Sequence, residues 1–340
     1  MIRFCGPFIF LAAIPLLYID VGPAAPLIAI VTLAAILIAA ELVAQRGEWA
    51  APSANESAFR LLPYLYIPLQ LGLIAWATSV VSRATTPTIG FVSLVLSVGV
   101  TTGIFGVLSA HEMVHSPRRA EQALGAALLT GMSYRHFRIA HIHGHHRYAG
   151  SARDPGSARF GENFYAFLLR TFIAQIADAY AFEKRRAAGR WWENGVIHDA
   201  VLMVLLAGGL VAFGGWRTLA FFGAQSAVAI IVLELFNYIA HYGLARETRA
   251  DGRLEPFADH HSWNSSNVVS NALLFNMGRH SDHHRRATAP YQHLRYAPGA
   301  PELPAGYVGS VLMALAPPLW RSVMDPKVRA LRTAAAKAAA

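Results

Sequence analysis

The run TIGFVSLVLSVGVTTGIFGVLSAHEMVH, Thr88 to His115, decides how the chain is read. Its first part, from Thr88 to Ala110, holds no charged residue. A bilayer core of about 30 Å needs about 20 mostly apolar residues in a helix, so this run is long enough to cross one. It then ends in His111, Glu112 and His115. On a helix, positions four apart share a face, so both imidazoles can reach one metal ion. A membrane helix that delivers two potential metal ligands at its end is the starting point.

Working outward, five further segments have the same apolar character: 4–20, 24–44, 61–81, 198–215 and 217–239, with 88–110 the fourth in order. The first, MIRFCGPFIFLAAIPLLY, has no good small-residue cleavage site and leads directly into the second, so it reads as a retained span. Composition agrees: 54% of the 340 residues are hydrophobic and only 14% are charged. The expected fold is all-α and integral to the membrane, one domain over 1–340, with six transmembrane helices under a cytoplasmic histidine-rich helical cap. The cap would be formed by 111–197 and 240–340. Lysine and arginine gather on the cytoplasmic side of membrane proteins. With an inner N-terminus, only Arg83 and Arg217 of the 29 basic residues fall at the outer loops. Both termini are therefore expected in the cytoplasm, and the net charge of +9 reflects topology and membrane lipid rather than nucleic acid.

Within the cap, FYAFLLRTFIAQIADAYAF is apolar but interrupted by Arg170 and Asp178, as an interfacial helix would be. The Pro317–Pro318 pair argues against a seventh straight span over GYVGSVLMALAPPLWRSVM. The terminal RTAAAKAAA is low in complexity and reads as a fraying helix or disorder.

All but one of the fifteen histidines lie in the two polar regions, His198 excepted. After HEMVH comes AHIHGHH, with His141, His143, His145 and His146. There 141 and 145 are expected on one helical face with 146 beside them, and Gly144 allows close approach. A third cluster, GRHSDHH, places His280, His283 and His284 at i, i+3 and i+4. His241 stands in NYIAHYGL, where the sixth apolar segment ends. One structural zinc needs four ligands and a catalytic zinc three, so the clusters exceed a single site, whereas two metals with four or five nitrogens each would use nine. Imidazole alone does not select among iron, copper, zinc and nickel. HEMVH by itself also fits a membrane zinc protease with Glu112 as base, and a metal transporter is a further reading, although its ligands belong within the spans. The single cysteine, Cys5, rules out an internal iron–sulfur centre or disulfide.

Taken together, HEMVH, AHIHGHH, NYIAHYGL and GRHSDHH resemble the boxes of the integral-membrane alkane 1-monooxygenases and the related xylene monooxygenases. The likeness extends through DPGSARFGENFYAFLLR, HHSWNSSNVVSNALLFNMGRHSDHH, ATAPYQHLR and PPLWRSVMDPKV, from about residue 100 onward. The fatty-acid desaturases share the scheme but not the HSDHH and NYxxHYGL wording. Two residues depart from the family pattern: Ala140 and Ala240 stand where it has glutamates.

The resemblance implies an alkane 1-monooxygenase, an oxidoreductase of the bacterial inner membrane that holds two iron ions. It would insert one atom of O2 into the terminal carbon of an alkane-like substrate, giving a primary alcohol. Its implied ligands are His111, His115, His141, His145, His146, His241, His280, His283 and His284. Asp282, Glu112 and Asp154 are the candidate carboxylates that orient ligands or bridge metals, although Asp282 can equally pair with Arg279 or Arg285, and Asp154 can cap a turn. His136, His143, His198, His260, His261 and His293 are left over. Electrons would come from a separate rubredoxin or ferredoxin-type donor with its reductase, docking near arginines 118, 119, 147, 185, 186, 285 and 286. Tyr64, Tyr66 and Trp76 are candidate walls of the substrate cavity, or interfacial anchors. Hydroxylation or desaturation of an alkyl-aromatic or fatty-acyl substrate at the same kind of site is the alternative activity.

Overall fold

The computed structural model describes residues 2–43, 47 and 56–339. They form helices and loops with three isolated β-bridges and no strand among the described residues. The first apolar segments are α1 (Gly6–Asp20), α2 (Ala25–Val43) and α3 (Glu56–Val81). The opening run forms α4, Thr88–Val114. It is regular except at Thr102–Gly106, where the hydrogen bonds widen to a π-helical turn. α5 (Arg119–Thr130) and α6 (137–148) follow, then α7 (Phe164–Arg186) and the long α8 (Gly195–His241). Short helices α9 (Val268–Leu273) and α10 (His280–Arg285) precede α11 (Gly306–Ala314) and α12 (Pro317–Ala339).

Among the described residues, four helices are long and apolar enough to cross a membrane: α2, the Ala58–Val81 part of α3, α4 and α8. α1 is apolar but shorter, at 15 residues. At 47 residues, α8 has more than twice the residues needed to cross the hydrocarbon core once. It is broken at Gly214 and Gly215, the latter at φ 72° in the region that favours glycine. The break falls between the two apolar segments read from the sequence as 198–215 and 217–239. Just beyond it, the Thr218 hydroxyl donates to Leu210 O at 2.5 Å and Gly215 O at 2.9 Å, satisfying carbonyls the break would orphan.

α4 is the best-packed of the apolar helices, and small residues are the reason. A Cβ on Gly103 would lie 2.6 Å from the Ala229 carbonyl oxygen of α8, and one on Gly99 would lie 2.8 Å from that of Gln225. Glycine at i and i+4 lets two backbones meet, the usual solution where lipid removes any hydrophobic drive between helices. In contrast, α7 buries Phe164, Phe167, Thr171 and Gln175 but exposes Tyr165, Leu169, Phe172 and Ile173. The end of the chain closes the cap: Trp320, Met324 and Val328 of α12 bury against Tyr238 and Tyr242 of α8. Tyr242 OH donates to Asp325 at 2.6 Å. α11 and α12 are separate helices, broken before Pro317 and Pro318, and α12 runs on to Ala339 through the alanine-rich tail.

Candidate metal centre

Four elements carry the nine clustered histidines to one place. His111 and His115 end α4, His141, His145 and His146 lie on α6, His241 is the last residue of α8, and His280, His283 and His284 lie on α10. α10 is only six residues long and is fixed from outside. Asn264 Oδ1 accepts from both Ser281 N and Ser281 Oγ at 2.9 Å.

The nine separate into two groups, each with one nitrogen per residue within 4.8 Å of the others. Five form one: His111, His115, His141, His146 and His283. Four form the other: His145, His241, His280 and His284. No carboxylate joins either group among the described residues.

This partition corrects one expectation about AHIHGHH. The segment Ala140–His145 is π-helical, not α-helical. Its wider turn, with i to i+5 hydrogen bonds, sets His146 against His141, Nε2 to Nε2 at 3.0 Å. His145 turns instead to the second group, its ring 4.8 Å from those of His241 and His284. Nor does Gly144 serve a close approach, because a Cβ there would meet nothing within 4 Å. Ala140 and Ala240 are both buried, and the Ala240 carbonyl accepts from Trp263 N and Ser262 Oγ.

The nitrogen spacing carries chemical information. In the first group Nε2 of His115 and His141 are 3.1 Å apart, and those of His146 and His283 are 3.0 Å apart. In the second, His241 and His280 are separated by 3.2 Å and His280 and His284 by 3.1 Å. Metal–nitrogen bonds of about 2.1 Å at right angles put neighbouring nitrogens about 3.0 Å apart, while a tetrahedral angle puts them about 3.4 Å apart. The observed spacing is short enough for the nitrogens of each group to share one ion. Burial favours the neutral, ligating form of His115, His141, His146, His280, His283 and His284. It pushes His115 and His280 down to about 3, and His141, His146, His283 and His284 well below the ordinary histidine value. Neutral lone pairs meeting around a common point repel unless a cation sits there, so the residues fit a metal in each group.

The three candidate carboxylates have different surroundings. Asp154 Oδ2 is 2.8 Å from His145 Nδ1 and accepts from Ser157 Oγ at 2.7 Å. Its other oxygen takes Gly156 N at 2.9 Å, so it caps its turn and orients a histidine at once. Asp282 pairs with Arg286, since i and i+4 face each other on a helix, while Arg285 pairs with Asp259. It also accepts from Arg295 N at 2.7 Å. Glu112 accepts from Tyr291 N at 3.3 Å and faces a polar cavity.

The remaining histidines are placed elsewhere. His143 stacks on Phe182 with ring centroids 4.1 Å apart, and His198 lies 2.7 Å from Trp192 O. His136 packs on Tyr134. His261 Nδ1 accepts from Ala258 N and its Nε2 lies 3.0 Å from Glu255, forming with His260 a small third cluster. Phe257 stands between that cluster and the second group, its ring stacked 4.6 Å from His284.

Two apolar spaces meet the histidines from the membrane-helix side. The larger, of about 660 Å³, is lined by α2, α4, the second half of α8, α9 and α11, with Phe10 of α1. A smaller one, of about 50 Å³, has His111, His141 and His280 in its wall. Ile104, Phe236, Leu274 and Tyr307 border both, so they form the constriction between cavity and histidines. α3 lies on another side. Tyr64 bonds Glu121, Tyr66 bonds Gln70 and Trp76 packs on Tyr18, so none of the three walls this cavity. Sequence periodicity had no means of finding the cavity, because its wall is shared among six elements distant in the chain. A separate polar cavity of about 250 Å³ reaches His115 and His283 from the far side, between Arg60, Tyr64 and Glu121.

The fold and site together define an all-helical membrane-type protein with two adjoining histidine groups, each able to hold a metal ion, beside a small apolar space. Residues 85–309 match the fatty acid desaturase family model. The chain is 40% identical over 279 residues to alkane 1-monooxygenase 1 of Pseudomonas aeruginosa, covering 79% of this chain and 72% of that protein. It is 39% identical to alkane 1-monooxygenase of Pseudomonas putida, over 81% and 69% of the two chains. A xylene/toluene monooxygenase hydroxylase component from Pseudomonas putida is 28% identical, over 79% and 74%. The chain belongs to the alkane 1-monooxygenase family, within the wider fatty acid desaturase family.

Proposed function

We propose that this protein is a di-iron monooxygenase that hydroxylates the terminal carbon of an n-alkane to a primary alcohol, with O2 and two electrons from a separate rubredoxin-type carrier. The observation that carries this reading is the small apolar space walled by histidines of both groups, His111 and His141 from one and His280 from the other, which shares Ile104, Phe236, Leu274 and Tyr307 with the larger apolar cavity. The larger cavity's volume lies in the range of small-molecule pockets. Among the described residues no lysine or arginine stands in its wall to hold the carboxylate of a fatty acid. Val31, Ile231, Leu312 and Leu315 of that wall are also exposed on the outside, which gives a bilayer-dissolved chain a lateral way in.

In this reading His111, His115, His141, His146 and His283 hold one iron, and His145, His241, His280 and His284 hold the other. Iron bound there would supply the activation of O2 and the oxidant for the C–H bond. The chain's own residues do the rest. Asp154 fixes the His145 ring and leaves its Nε2 free to ligate, as that atom has no hydrogen-bond partner. Ile104, Phe236, Leu274 and Tyr307 restrict what reaches the centre to a narrow chain end, which favours attack at a terminal carbon. The apolar wall keeps bulk water from the substrate side.

The same reading has α1 to α4 and the two halves of α8 crossing the membrane six times, with termini and histidines on the cytoplasmic side. The break at Gly214 and Gly215 supplies the outer turn of the last pair, and the exposed apolar face of α7 lies against the membrane surface. Exposed Arg119, Arg147 and Arg185 offer an acidic carrier a basic face, while Arg118, Arg186, Arg285 and Arg286 pair with Glu121, Glu183, Asp259 and Asp282.

The test is product analysis in iron-replete membranes supplied with rubredoxin, its reductase and octane under labelled O2. The expected product is 1-octanol carrying one labelled oxygen. Failure to form any oxygen-dependent product would remove the reading.

A further inference from the structure

We propose that the polar cavity beside His115 and His283 is the aqueous port of the centre, through which protons enter and product water leaves, separate from the cavity that admits substrate. The proposal rests on the monooxygenase reading, because the reaction's balance demands such a route. Hydroxylation converts R–H, O2, two electrons and two protons into R–OH and water. The C–H and O–O bonds break, a C–O bond forms, and the second oxygen takes both protons while the separate carrier supplies the electrons. Two protons must therefore reach a buried centre, and a water must leave it, in every turnover.

The apolar cavity is unable to carry them. Its few polar wall groups are all turned to partners in the protein. Thr101 donates to Ser97 O at 2.7 Å, and Tyr307 OH to Met277 O at 3.2 Å. Glu41 accepts from the backbone N–H groups of Tyr307 and Val308, each at 3.2 Å, and Ser270 Oγ lies 3.5 Å from Asn267 O. A file of water there would find nothing to bond, and water is stable in a cavity only with two to four polar partners.

The second cavity differs in each respect. Arg60, Tyr64, Glu112, Ser116, Glu121 and Thr288 line it. It touches His115 and His283, and no residue of its wall is shared with the apolar spaces. His111 and His141 face the apolar side, so the five-histidine group stands between the two openings. At the port, Glu121 gathers Arg60, Arg118 and Tyr64. Of the five histidines, His115 and His146 are partly exposed, and His115 is the one of these two that lines this cavity.

The experiment fills each opening in turn and follows azide binding to the oxidised, iron-loaded protein in detergent by its absorption band, which needs no turnover. Ala287 and Ala289 line the polar cavity and Ala34 the apolar one. Ala287→Trp, or Ala289→Phe should the first fail to fold, is expected to slow azide association about tenfold, one decade of on-rate, with iron content unchanged. Ala34→Trp is expected to weaken octane binding and leave the azide rate alone. The idea is overturned if both port variants bind azide at the wild-type rate, or if Ala34→Trp is the one that slows it. Such a result, with alkane hydroxylation intact in the unmodified protein, removes the port alone. Absence of hydroxylation in that protein would remove the parent reading instead.

Discussion

A single histidine distinguishes this site from a generic cluster of imidazoles. His145 is held at Nδ1 by Asp154, which is itself held by Ser157 and Gly156. Partners of this kind set ring orientation and ligand basicity, so Asp154→Ala is expected to weaken metal affinity in the four-histidine group by roughly 10–100-fold. Metal titration of the purified protein measures this, and the five-histidine group should be unaffected. Exchanging ligands separates the groups further. His280→Ala and His283→Ala should each halve the bound metal, whereas loss of all metal from either one would show a single shared site. pH provides an independent check on the metal-free protein. The folded-state values of His115 and His280, about 3, lie below the ordinary 6.5. The unfolded chain therefore binds protons that the folded chain refuses in this window. Stability is complete above about pH 6.5 and falls as pH drops toward 3, by about 1.4 kcal/mol per pH unit for each such imidazole. Thermal melts across that range should show the decline, and a flat profile would mean the imidazoles titrate freely. The nine histidines were legible as residues because three dense clusters are hard to explain otherwise. Their division into five and four was not legible, and neither was the pairing of Asp282 with Arg286, since both depend on where α10 docks.

Among the elements, α4 and α6 show what periodicity could and could not reveal. The apolar length of α4 and the i, i+4 pair at its end were evident in the run from Thr88 to His115. The π-helical turn in Ala140–His145 was not, because no residue pattern in AHIHGHH distinguishes a 3.6-residue period from a wider one. That turn exchanges the partners of His145 and His146. The packing of α4 on α8 depends on Gly103, whose missing Cβ faces backbone atoms of Ala229 that have no freedom to move aside. Gly103→Val should cost about 1–3 kcal/mol and reduce metal retention, because α4 carries His111 and His115 while α8 carries His241. Detergent-solubilised melting curves with parallel metal analysis check this. A variant of wild-type stability would mean the two helices are less closely joined.

At the scale of the whole molecule, the histidine centre divides two environments. The cavity among α2, α4, α8, α9 and α11 meets it from the apolar side, and a polar recess meets it from the other. Apolar segments and histidine boxes announced a membrane metal protein. The cavity could not be read the same way, since Tyr64, Tyr66 and Trp76 pack on neighbours of their own while its wall is built from ordinary aliphatic residues. Narrowing it should therefore change substrate choice without touching the metals. Ala34→Trp is expected to shift the preferred alkane to a shorter chain at constant iron content, read by competition among alkanes of graded length. An unchanged preference would place the substrate elsewhere.

The central claim is that nine nitrogens, in groups of five and four, hold two iron ions. Mössbauer spectroscopy of protein loaded with iron-57, with iron counted per chain, tests it most directly. Two iron ions per chain in two distinct environments of equal population are predicted, with His280→Ala removing one of them. A single iron environment, or zinc bound in preference when iron is abundant, would contradict the account.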